Sequence, residues 1–218
     1  MTAAPWADLR LRDRIRGDLR VLFVGINPGV RSAVTGHHFA GYSNRFWKLL
    51  FESGLVPEPL TYEDDERLPE WGLGITNLIA RPSPGIGDLR PAEYAAGWRA
   101  LERKIVRYRP RVVTLVGVTL YRAILPALGG EAGGAGRRGP RGGERMDPVV
   151  GLRPETVHGA RLFVLPNPSG RNANFSYAEM LEGFRALARY LVAEGKSSRP
   201  PGPEGGCDKA GRPIRRRT

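Results

Sequence analysis

Hydrophobic positions in this chain gather into short runs separated by long polar stretches. Val21–Val24, Ile75–Ile79, Val112–Val116 and Leu162–Leu165 are four or five residues long, rich in aliphatic side chains and bounded by glycine or proline. Short runs of this kind predict strands covered on both faces. Between them the period becomes helical. Ser43–Ser53 puts Phe46, Leu49, Leu50 and Ser53 on one face and stops at Gly54, a residue type favoured just past a helix end. Pro91–Tyr108 opens with a proline and ends before Pro110, as a helix should. Val118–Leu125 is a shorter helix, and Ser176–Val192 begins with the capping-box spacing Ser176-x-x-Glu179. Strands alternating with helices predict an α/β fold: three layers, α/β/α, around a central, mostly parallel sheet. Ligands of such sheets bind beyond the carboxyl ends of the strands.

This pattern confines the folded domain to residues 19–192, with residues 1–18 as an N-terminal extension. Residues 129–145 hold eight glycines and four arginines, which predicts a flexible basic insertion rather than a core element. Residues 193–218 read as a disordered basic tail. The net charge is +12 and the pI near 10.6, so a polyanion such as nucleic acid is the natural partner. The stretch from Lys196 on contributes about +5 of that charge, and the rest of the chain is still basic. The single cysteine, Cys207, excludes a disulfide within the chain and cysteine-rich zinc sites. No apolar run approaches the ~20 residues of a membrane span and no secretory signal is visible. A cytoplasmic protein with no membrane contact is expected.

Most catalytic signatures are missing. There is no phosphate-binding G-x-x-x-x-G-K-[ST] loop and no G-x-G-x-x-G after a strand. Ser169 lacks the frame of a nucleophile elbow, and His37, His38 and His158 lack metal-ligand spacing. Neither a cofactor nor a metal is expected. What remains is three loops after strands. The first holds Gly25, Ile26, Asn27, Pro28 and Gly29 and continues to Phe39. Its glycines admit close approach of a ligand, and Asn27 offers a donor and an acceptor. No carboxylate lies between Gly25 and Phe39. The second loop carries Asn77. The third, Pro166-Asn167-Pro168-Ser169-Gly170-Arg171-Asn172, is stiffened by two prolines and displays an arginine. Amides and an aromatic beside a stiff basic loop suit a nucleobase presented on a nucleic-acid backbone. Plainer roles exist for several of these residues. His37 and His38 can be ordinary hydrogen-bonding residues, and Phe46 and Trp47 core residues. Ser169 can cap local backbone, and Arg81 can pair with an acid instead of a phosphate.

Three stretches carry a family resemblance: "GINPG…TGHHFAGYSNRFWKLLFESGL" (25–55), "LPEWGLGITNLIARPSPGIGDL" (68–89) and "GLRPETVHGARLFVLPNPSGRNANF" (151–175). Together they resemble the mismatch-specific uracil-DNA glycosylases and their thymine-DNA glycosylase relatives. The resemblance implies a uracil-DNA glycosylase-like fold and hydrolysis of the N-glycosidic bond to a flipped uracil. It places Asn27 at the asparagine that positions water and Phe39 at the aromatic that stacks on the base. Asn77 falls at a base-contacting asparagine, with Gly25 and Ile26 in the same pocket. Ser169, Gly170 and Arg171, flanked by Asn167 and Asn172, correspond to the loop that enters the duplex and reads the opposite guanine. His38 corresponds to one of the paired histidines of the thymine type. Ser32 stands where that type has alanine, near the thymine methyl position. The implied partner is double-stranded DNA with a G·U or G·T mismatch, bound by a monomer. Two alternatives stay open: a glycosylase of the same fold with another preference (single-stranded uracil, hypoxanthine, an etheno-adduct), or a non-catalytic DNA-binding protein.

Overall fold

The computed structural model describes residues 4–129 and 148–197. Beyond Gly129, the expected insertion at 129–145 lies outside these residues, as does the tail after Ser197. Five strands, β1 (Val21–Gly25), β2 (Leu73–Asn77), β3 (Val112–Val116), β4 (Gly151–Val157) and β5 (Ala160–Leu165), form one sheet in the order β2-β1-β3-β5-β4. All neighbours are parallel except β4 and β5. The helices are α1 (Val30–Thr35), α2 (Phe46–Glu52), α3 (Pro91–Tyr108), α4 (Val118–Ile124) and α5 (Tyr177–Ser197).

The expected α/β/α layering follows from the alternation of side chains along the strands. Leu22, Val24, Val113, Leu115, Leu162 and Val164 point to one face, where Trp98, Leu101 and Ile105 of α3 and Leu120 and Ile124 of α4 cover them. Val21, Phe23, Ile75, Phe163 and Leu165 point to the other, against Phe46, Leu49 and Leu50 of α2 and Phe184 and Leu187 of α5. Chain order reverses between β1 and β3. Loops leaving those strands diverge there and open a crevice.

The structure corrects several boundaries. The second strand was expected at Ile75–Ile79 but runs Leu73–Asn77. Gly72, at φ 67°, ends a 3-10 stretch over Tyr62–Trp71 and turns the chain into the sheet two residues early. Leu78 and Ile79 lie past the strand, but their N–H groups still bond the Gly25 and Ile26 carbonyls, both at 2.8 Å. The expected helix Ser43–Ser53 starts only at Phe46, because Gly41–Asn44 is a turn and the Asn44 side chain accepts from the Phe46 N–H. The helix at Ser176–Val192 continues to Ser197, and its capping box forms in both directions. Strand β4 and helix α1 were not foreseen. β4 is an edge strand with half-exposed alternate residues, an irregular register and Pro154 inside it, so it has no apolar run to announce it. Ahead of β1, Arg14 exchanges two backbone hydrogen bonds with Ile75, both 2.9 Å, and Asp13 pairs with Lys104 at 2.6 Å. This segment therefore lies against the outer edge of β2. Among the described residues no helix is long and apolar enough to cross a membrane.

Candidate active site

A cleft of about 570 Å³ opens beyond the carboxyl ends of β1, β2 and β5. Its wall is made of the loops that follow those strands. Asn27, Ser32, His38, Phe39, Asn77, Asn167, Ser169 and Arg171 all contribute, with Gly25 and Ile26 at its base. Neither aspartate nor glutamate lines it among the described residues. The polar groups of the site are therefore amides, hydroxyls, one imidazole and the guanidinium groups of Arg31 and Arg171, set beside aromatic rings.

Asn27 is held by its nitrogen. Nδ2 donates to Ser83 Oγ at 2.8 Å, to the Pro28 carbonyl at 3.1 Å and to the Arg81 carbonyl at 3.3 Å. Ser83 Oγ spends its own proton on the Gly85 carbonyl at 2.7 Å, so it must accept from Asn27. These four contacts fix which end of the amide is which. Oδ1 has no protein donor among the described residues and is the end available to a ligand. Sequence reasoning missed Ser83. Its only sequence signal is the rigid Pro82-Ser83-Pro84-Gly85 run after β2, which pairs alongside Gly29 as an isolated parallel bridge.

Phe39 lies flat on Phe46, with ring centroids 4.2 Å apart and planes 20° from parallel. Phe46 is the core residue expected, and it backs the ring that borders the cleft. Phe39 has φ 51°, which costs a non-glycine residue free energy and is found where surrounding contacts enforce it. The enforcing contacts are visible. Ser32 Oγ accepts from the Ala40 N–H at 3.1 Å, Arg31 Nε donates to the Ala40 carbonyl at 2.6 Å, and Trp47 Nε1 donates to the His38 carbonyl at 3.2 Å. The fully buried Asp65 completes them, accepting from the His38 N–H at 2.9 Å and from Arg14 Nε at 3.0 Å, with His37 Nδ1 at 3.1 Å. His37 thus braces the loop.

Gly25 and Asn77 are register partners at the ends of β1 and β2. A Cβ on Gly25 would stand 2.6 Å from Asn77 Oδ1 and 3.5 Å from the tip of Phe39, so only glycine lets amide and ring converge. His38 orients the amide. Its Nε2 faces the Arg12 carbonyl at 3.0 Å and must carry hydrogen there. Burial lowers its pKa from 6.5, outweighing the raising effect of the Arg12 carbonyl and of Asp65, so the ring is neutral at pH 7 and Nδ1 is a lone pair. Asn77 Nδ2 lies 3.4 Å from that lone pair. Asn77 consequently keeps Oδ1, an acceptor, over Gly25.

The third loop is braced by its own polar groups. Asn167 Oδ1 accepts from the Ser169 N–H at 3.0 Å, Ser169 Oγ from the Arg171 N–H at 3.3 Å, and the Asn167 carbonyl from Asn172 Nδ2 at 2.8 Å. In this structure Ser169 caps local backbone. Gly170 and Asn172 are not part of the cleft wall. Gly170 instead packs on the Gly41–Asn44 turn, where a Cβ would fall 2.4 Å from that of Ser43. Arg171 is exposed at the rim, and its guanidinium has no hydrogen-bond or ion-pair partner among the described residues. Arg81, by contrast, is spent on Glu93, at 2.9 and 3.0 Å.

Residues 13–191 match the sequence model of the Uracil DNA glycosylase superfamily. Among solved structures, the chain is similar to the solution structure of a Methanosarcina acetivorans protein proposed to be a uracil DNA glycosylase. The TM-score is 0.51 at 17% identity, over 84% of this chain and 98% of that one. At that identity the likeness speaks for the α/β/α fold alone, whereas the family match spans most of the sequence: the chain belongs to the uracil DNA glycosylase superfamily.

Proposed function

We propose that this protein is a monofunctional DNA glycosylase that excises uracil from G·U mismatches in duplex DNA and leaves an abasic site. The observation that carries the reading is the locked Asn27 amide, whose oxygen is the free end, in a cleft that no carboxylate lines among the described residues. A water held by Oδ1 would attack C1′. A bond forms from the water oxygen to C1′ as the C1′–N1 bond breaks, the base leaves with the electron pair, and the water proton passes to solvent. Phe39 stacks on the extruded base. Asn77 Oδ1 accepts from the uracil N3–H, which cytosine lacks. An amide cannot take the water's proton, and general-base help is typically worth ~10²–10⁴-fold. The enzyme is therefore slow and depends on a good leaving group and on a pair that opens at low cost, as mismatches do. Arg171 enters the gap left by the base and faces the opposite guanine. The same family resemblance extends the substrate range to thymine in G·T pairs or to etheno-cytosine; Ser32, buried beside the Phe39 loop, narrows the wall where thymine's methyl would lie.

A second reading has its own support. The Asn77 acceptor would also serve the N1–H of hypoxanthine, so a glycosylase of different preference fits the same wall. Single-turnover cleavage of U·G, U·A, T·G, hypoxanthine and single-stranded uracil substrates, with alkali to reveal abasic sites, separates the two. We expect U·G to be fastest, Asn27→Ala to lose at least about a hundredfold, and Asn27→Asp to retain part of the rate. An Asn27→Ala protein with the wild-type rate would refute the assignment of the water site. A chain that binds DNA but releases no base from any substrate would be a binding protein instead.

A further inference from the structure

Tyr42 stands on the rim of the cleft with 90% of its surface exposed, more than any other large hydrophobic residue described. An exposed tyrosine alone says little. This one is clamped. The Arg31 guanidinium lies over one face of the ring, 3.7 Å from its centroid. Arg31 is itself fixed, since Nε donates to the Ala40 carbonyl at 2.6 Å and Nη2 to the Tyr62 hydroxyl at 3.3 Å. A cation over one face biases the ring toward this position, and a side chain with two torsions loses little freedom on binding. The opposite face is open to solvent.

Position gives that face a purpose. Tyr42 precedes Ser43, the residue on which Gly170 packs, and the Arg45 N–H bonds the Pro168 carbonyl at 3.0 Å. Tyr42 and the exposed Arg171 therefore sit on two loops that behave as one body. The base inside the cleft already has its stacking partner in Phe39. A second ring outside, on the same rim, meets the next nucleotide.

We propose that Tyr42, clamped on Arg31, is a stacking subsite for the nucleobase adjacent to the extruded one on the same strand. The proposal rests on the glycosylase reading above. Stacking is sequence-tolerant because every base has a π-face. Its contribution is greatest where the neighbour is not already stacked in a duplex, so single-stranded uracil DNA relies on Tyr42 more than a U·G duplex does.

The test uses the full chain and two single-stranded oligonucleotides containing uracil. In one the flanking nucleotides are normal; in the other they are abasic spacers that keep the phosphates. Fluorescence anisotropy should show the wild type and Tyr42→Phe binding the first about tenfold more tightly, and Tyr42→Ala binding both alike. A wild type that does not distinguish them, or a Tyr42→Ala protein that keeps the full ratio, overturns the subsite. Cleavage of a U·G duplex is measured in parallel. Far-UV circular dichroism and Tm show that the variants are folded, and the cleavage tests the glycosylase reading separately: a wild type that keeps the binding ratio but cleaves nothing loses that reading and not the subsite.

Discussion

Single side chains in this cleft are set by what they are already bonded to. Asn27 and Asn77 have the same amide, yet each has its nitrogen engaged and its oxygen left over. For Asn77 the arrangement hangs on one lone pair of His38, which gives it a pH dependence. Burial holds the His38 pKa below the ordinary 6.5, so the ring is neutral at and above pH 7 and gains its proton only in more acidic solution. Protonation puts hydrogen on Nδ1 and abolishes the acceptor for Asn77 Nδ2. The amide then does better turned over, with its oxygen toward His38 and its NH₂ toward the cleft, where under the proposed function it would oppose the N3–H of uracil. Asp65, Asp13 and Arg14 face the same imidazole with opposing effects, and none of them reverses the sign. Single-turnover U·G cleavage is expected to be level at neutral pH and above, and to decline only in solution more acidic than an ordinary histidine requires, by about tenfold per unit once the protonated form dominates. His38→Gln retains an acceptor oxygen that does not titrate, so its profile should lose this acid limb. An identical limb in that variant would assign the titration to another group.

At the level of elements, the start of α3 and the loop that holds Asn27 are one unit. Glu93 accepts from the Arg90 N–H at 2.9 Å, closing the helix cap, and from Arg81 at 2.9 and 3.0 Å, while the Arg81 carbonyl accepts from Asn27. Arg81 first, and then the Arg90 N–H, hold the Glu93 pKa down from 4.5 to about 2. A depressed carboxylate stabilises the fold fully above its unfolded pKa and loses that contribution as pH falls from 4.5 to about 2. The Tm gap between wild type and Glu93→Gln should therefore be constant near neutrality, about 2–4 °C for a half-exposed pair in a domain of this size, and close on acidification through that window. A gap independent of pH would mean that the cap, not the charge, carries it. The same elements show what the sequence discloses. β1, β3 and β5 are continuous buried runs, and α3 and α5 carry their own start signals, so all five were legible locally. β4 was not, because an exposed edge alternates charge and needs a partner strand to define it. In the site, Asn27, Phe39 and Asn77 were legible from loop position and resemblance. Ser83, Arg31 and Asp65 were not: each acts on the cleft through a partner that only the fold brings near, as with Asp65 and His38, 27 residues apart.

For the whole molecule the question is how a body of net charge near +7 divides its work between holding DNA and recognising a lesion. Cations that neutralise phosphates release counterions, and log affinity then falls linearly with log salt, with a slope of about 0.9 per phosphate contacted. A cation that enters the helix in place of a lost base contacts a base and not a phosphate, and does not add to that count. Many of the basic side chains described are already occupied in the fold, as Arg14, Arg67, Arg81 and Lys104 are by carboxylates. Among the described residues the Arg171 guanidinium is free, at the mouth of the cleft, on a loop whose backbone is fixed by Asn167 and Ser169. If Arg171 fills the gap opposite guanine, Arg171→Ala should weaken binding to a duplex with an abasic site opposite guanine by about tenfold at every salt concentration. Its log–log plot should then run parallel to that of the wild type, and affinity for an undamaged duplex should barely change. If Arg171 instead touches a phosphate, the slope should drop by about one and damaged and undamaged duplexes should lose affinity together. Parallel lines on the lesion and coincident lines on undamaged DNA are the expected result. They would separate the charge that brings this protein to DNA from the arginine that keeps it at the damaged pair.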